Sequence, residues 1–137
     1  MDVALTAYQA RLAGDPTLAS LISTFMSAPS VFIHSVPEGA ALPLICITGP
    51  ASDTPFDDKT SQGRELLLDF RVTTSKTGST VIVDTIAERM RSLIHRSPVS
   101  VVGYTSLYEE AFGPILDDID DAYSRIVTLR LVLGGAA

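Results

Sequence analysis

Any chemistry in this chain has to come from a few residue groups. Glu109, Glu110, Asp117, Asp118, Asp120 and Asp121 put six acidic side chains within thirteen positions, with no basic residue among them. A calcium loop needs oxygen ligands at alternating positions and a glycine at the sixth. Counted from Asp118, Asp120 fits, but Ala122 is fifth and Tyr123 sixth. Carboxylate pairs serve acid–base catalysis when burial separates their pKa values, and a hydrophilic segment does not offer that burial. Ser75-Lys76-Thr77-Gly78-Ser79-Thr80 has the look of a phosphate loop. However, Ser75 and Phe70 stand where that motif needs its glycines. His34 and His95 are the only histidines, and neither has a zinc-like spacing to Cys, His or carboxylate. No G-x-S-x-G elbow is present. Cys46, the single cysteine, lies in an apolar run and reads as a small buried hydrophobe. We therefore expect no catalytic residues, no metal and no cofactor.

Arg89, Arg91 and Arg96 form the one basic cluster. Two readings stay open for it: a solvated helix face, or a surface that meets the acidic segment of a neighbouring copy.

The elements that must position these groups follow from periodicity. Leu66, Leu68, Phe70 and Val72 alternate with Glu65, Leu67, Asp69, Arg71 and Thr73, which predicts a half-buried strand over Arg64–Thr74. After a turn at residues 76–79 the period changes. Ile82, Ile86, Met90 and Leu93/Ile94 predict a helix from Thr80 to about Arg96. Upstream, Val3, Leu5, Tyr8 and Leu12 predict a helix ending at Gly14. Asp15-Pro16 opens a second helix with Leu18, Leu21, Ile22 and Phe25 on its apolar side. Short strands are expected at Val31–His34 and Leu44–Thr48. Residues 49–63 read as a long loop, carrying Asp53, Asp57 and Asp58. Beyond the long helix, Val99–Tyr108 reads as a strand with a bulge at Gly103, Glu109–Asp121 as a second long connection, and Ala122–Leu133 as the last strand. The order is α-α-β-β-β-α-β-β. It predicts a single α/β (α+β) domain over residues 1–137: two layers, with a mixed, mostly antiparallel sheet and helices packed on one face.

A chain of 137 residues buries roughly two-thirds of its unfolded surface and needs no metal or disulfide to fold. Its net charge of −6 makes it a poor ligand for a phosphate backbone, which is held by Lys and Arg displacing counterions. No apolar run approaches the length of a membrane span, and the N-terminus lacks the pattern of a signal peptide.

The whole pattern resembles a known family. A helical N-terminal unit precedes "VFIHSVPEGAALPLICIT", then comes a polar loop, then "RELLLDFRVTTSKTGSTVIVDTIAERMRSLI", and an acidic connection leads into "RIVTLRLVL". Over roughly residues 3–133 this resembles the tail-terminator, or tail-completion, proteins of long-tailed bacteriophages and phage-like particles such as gene transfer agents. One departure is Thr73-Thr74, at a strand end where such proteins often carry an aromatic residue. The resemblance implies a non-enzymatic structural protein of the virion, assembled in the host cytoplasm and placed at the head-proximal end of the tail. There it implies a homo-oligomeric ring, typically of six copies. The ring would stop growth of the tail-tube protein, join a head-completion or connector protein, and let DNA pass without specific binding. Under that reading 49–63 and 109–121 are the expected interaction segments, and Leu67, Val102 and Ile126 are spare apolar surface. A second reading, a small α/β ligand-binding or regulatory module, remains beside it.

Overall fold

The computed structural model describes residues 2–55, 63–77, 79–118 and 121–135. In chain order the elements are α1 (Asp2–Ala13), α2 (Pro16–Leu21), β1 (Thr24–Phe25), β2 (Ala28–Pro29), β3 (Val31–Ile33), β4 (Leu44–Pro55), β5 (Arg64–Ser75), α3 (Val81–Ile94), β6 (Tyr104–Leu116) and β7 (Ala122–Gly135). Strands β1 and β2 form a small hairpin. The other five form one sheet in the order β3-β4-β5-β7-β6, with only the β3–β4 pair parallel. The fold is therefore a single two-layer α+β arrangement, as expected.

Alternation decides which side of the sheet the helices cover. In β5, Leu66, Leu68, Phe70 and Val72 are fully buried, and the register sets them beside Leu131, Leu129, Val127 and Arg125 of β7. Ile45 and Ile47 of β4 and Ala111 of β6 extend the same face. Onto it α3 lays Val83, Ile86, Ala87, Met90 and Ile94, and α1 lays Ala4, Leu5, Tyr8 and Leu12. The Tyr8 ring meets Phe70 edge to face, with centroids 5.6 Å apart. Among the described residues no helix lies over the opposite face, which carries Cys46, Glu65, Asp69, Arg71, Thr128, Arg130, Tyr108 and Phe112.

Three boundaries differ from the sequence expectation. Strand β4 does not stop at Thr48. It bulges at 49–51 and pairs again with β5 from Ser52↔Leu67 to Pro55↔Arg64, so half of the expected 49–63 loop is strand. Gly49, at φ 146°, permits this: a Cβ there would sit 2.9 Å from a Leu68 methyl. Asp57 and Asp58 lie outside the described residues.

The second correction concerns 109–121. Glu109–Leu116 is the distal half of β6, paired with β7 across a bulge at Gly113-Pro114. A Cβ on Gly113 would stand 2.8 Å from the Ile126 carbonyl. Gly103 is not a bulge but a turn (φ 86°) that folds Tyr104 back on Val101. Third, α2 ends at Leu21, and Phe25 belongs to β1 rather than to a helix. Turn-type residues at Gly49, Pro50, Gly113 and Pro114 read as loops in the sequence, yet they sit at bulges within long strands.

Two long-range ties complete the frame. The Arg11 guanidinium donates to the carbonyls of Ser97 (2.6 Å) and Pro98 (2.5 Å), fastening α1 to the segment after α3. That segment in turn lies along the outer border of β6: the Arg96 N–H donates to the Glu109 carbonyl (2.9 Å), and the Ala111 N–H donates to His95 Nδ1 (3.0 Å).

Candidate assembly surface

The charges singled out in the sequence are mostly engaged within the chain. Arg89, on α3, grips Asp15 at the start of α2 through two bonds of 2.6 and 2.9 Å. Asp15 also accepts the Leu18 N–H at 2.8 Å as the N-cap. The Arg89 hydrogen bonds hold the Asp15 carboxyl below the usual carboxylate range. Asp118 accepts from the Ser124 N–H (2.9 Å) and from Arg125 (2.8 Å), and both contacts lower its pKa, the backbone bond most. The buried Arg125 also reaches Asp84 of α3 at 3.0 Å. Asp117 pairs with Arg71 at 2.5 Å, and Asp53 with Arg64.

The remaining candidates scatter. Glu109 is buried on the helix side, with its backbone carbonyl taken by Arg96. Glu110 accepts the Tyr108 hydroxyl on the other face. Arg91 is half-buried with its Nε bonded to no group. Arg96 is exposed at φ 51°, Asp121 is exposed at the entry to β7, and Asp120 lies outside the described residues. The structure thus does not gather Arg89, Arg91 and Arg96 into one free basic patch. It also does not hold Glu109–Asp121 together as one acidic loop.

What the chain does present is the uncovered sheet face. Along β5 and β7 it carries a ladder of paired polar groups: Glu65 with Arg130 (3.0 and 3.2 Å), Asp69 with the Thr128 hydroxyl (2.8 Å), and Arg71 with Ser124 (3.0 Å) and Asp117. Hydrogen bonds from Arg130 keep the Glu65 carboxyl below its ordinary range. Toward the β6 edge the face turns apolar. Leu107, Tyr108, Phe112 and Ile115 stand exposed there, and a shallow hollow forms between Leu107, Tyr108, Arg130 and Val132. Arg130 lies over the Tyr108 ring at 5.5 Å. Sequence reasoning missed this surface because it ran the strand over Val99–Tyr108 and read Glu109–Asp121 as a connection, where the strand is Tyr104–Leu116. Period two read from Tyr104 onward would have put Tyr108, Glu110 and Phe112 on one side.

A second hollow lies further across the face, between His34, Cys46, Thr48, Asp69, Arg71 and Ile126. Burial pushes the Cys46 thiol up, so its nucleophilic form is disfavoured. Among the described residues no helix is long and apolar enough to cross a membrane.

No protein family and no curated protein matches this chain. Among solved structures, a chain of the virion of a native gene transfer agent particle has the same fold. Its TM-score is 0.80 at 18% identity, and the match covers 95% of this chain and 93% of that one.

Proposed function

We propose that this chain is a structural protein of a phage-like virion, one subunit of a ring that closes the head-proximal end of a tail tube. The observation that carries this reading is the fold likeness to a gene transfer agent virion chain, which takes in nearly the whole of both chains. The tail-terminator role joins that likeness to the order of elements read from the sequence. On this reading the ring has six copies, meets the tail-tube protein on one face and a head connector on the other, and works by geometry without making or breaking a bond.

The physical properties agree with such a role. A ring requires two different patches on each copy, and an uncovered sheet face ending in an apolar edge supplies one of them. A net charge of −6 repels phosphate, which suits a channel that DNA traverses without adhering.

The test is microscopy of tails assembled with and without this chain. Tubes of uniform length with a labelled cap are expected when it is present, and overlong tubes when it is absent. Tubes that end uniformly without it, or a label elsewhere on the particle, would overturn the reading.

A further inference from the structure

The two edges of the main sheet differ in charge and in apolar exposure. A seam between copies drawn from that difference rests on the ring reading above and names the surfaces that would close it.

Between Asp15 and Glu38 the chain carries no Asp, Glu, Lys or Arg. That stretch builds the β3 edge: α2, the β1–β2 hairpin and β3 itself. At the tip of the hairpin Met26 (φ 49°) and Ser27 (φ 68°) are both left-handed, although neither is glycine, the conformation a two-residue I′ turn requires. The turn holds Met26 out from the body, where it is 87% exposed. Phe25 packs edge to face on Phe32, with centroids 5.7 Å apart, so the hairpin is braced against β3. The opposite, β6 edge presents the apolar end of the uncovered face, with the hollow between Leu107, Tyr108, Arg130 and Val132.

Three considerations make a second copy the occupant of that hollow. The first is charge. Copies of a chain with net charge −6 repel one another, and the repulsion is least where one side has no charged residue and the other has its charges paired in place, as Arg130 is with Glu65. Nucleic acid is disfavoured by the same facts. The second is area. Leu107, Tyr108, Phe112 and Ile115 together leave roughly 400 Å² exposed, about half of what one partner contributes to a standard interface. The third is the border of β6. At Glu109 and Ala111 it is already bonded to Arg96 and His95, and Pro114 offers no N–H, so an added peptide strand finds few free groups there.

We propose that the charge-free β3 edge of one copy seats on the β6–β7 face of the next, with Met26 over the Leu107–Val132 hollow. The two surfaces lie on opposite edges of one sheet, so every copy uses both at once, as a head-to-tail ring requires.

Four full-length chains test this: wild type, Met26→Lys, Leu107→Glu and the double variant. Association is read by sedimentation velocity, alone and with tail tubes, after circular dichroism has shown the same fold and melting temperature for all four. Each single change is expected to weaken association at least about tenfold, because a charge is then buried without a partner, and the double variant to recover much of it. Single variants that assemble like wild type, or a double variant no better than the singles, would overturn the seam and leave the ring reading standing. A wild-type chain that stays solitary even beside tubes would overturn both.

Discussion

The two faces of the sheet are built from the same strands and differ in almost everything else. On the helix side, β5 and β7 present Leu66, Leu68, Phe70, Leu129 and Leu131, all fully buried. On the other side the intervening residues pair across strands above the sheet: Glu65 with Arg130, Asp69 with Thr128, and Arg71 with Ser124 and Asp117. Stability is concentrated on the first face, where apolar area leaves water. The second contributes little to folding, because exposed ion pairs are worth under about 1 kcal/mol, and is free to be shaped by what it touches.

The sharpest break of this contrast uses one substitution on both faces. Phe70→Ala removes a fully buried ring and should cost about 3–5 kcal/mol in urea unfolding, whereas Phe112→Ala, at 48% exposure, should cost less than about 1 kcal/mol. Equal losses would mean that the uncovered face is not free in the folded monomer.

Next in size is the clip between helices. Asp15→Ala deletes an N-cap and the Arg89 pair together and should cost about 1–2 kcal/mol. It has a pH signature as well. The folded-state pKa of Asp15 is lowered, so its contribution is complete above the ordinary carboxylate range and is lost as pH falls through the lower folded value. The variant should therefore lose less stability than wild type as pH falls below the ordinary carboxylate range. A parallel acid limb in the two proteins would remove Asp15 from the account.

The smallest effect is expected for Glu65→Gln, which leaves Arg130 two-thirds covered but wet. A small loss that shrinks with added salt is the outcome that keeps the polar ladder a surface feature. A loss as large as that of Asp15→Ala, or one indifferent to salt, would make it part of the frame.

Much of the frame was legible from pattern alone. The alternation at Leu66–Val72 and the change to helical period after Thr80 place β5 and α3 within a residue or two of where they lie, because tertiary burial and local periodicity agree there. β6 was not legible. Its bulge at Gly113-Pro114 shifts the register, so that Phe112 and Ile115 share a face three positions apart, and its buried Glu109 looks like a loop acid. The candidate surface was the least readable part. Asp15 and Arg89 are seventy-four positions apart, and Arg71 meets Ser124 over fifty-three, so only the sheet order reveals that those charges are already taken.

The bond from Arg11 to the carbonyls of Ser97 and Pro98 has a practical corollary. It anchors the turn that seals the rim of β6, so a chain trimmed of its first helix would loosen that seal from the far side of the molecule. The raw strand border would then be bare, and such a fragment should clump edge against edge. An affinity tag is therefore better carried at the tail of the polypeptide than traded for its opening helix.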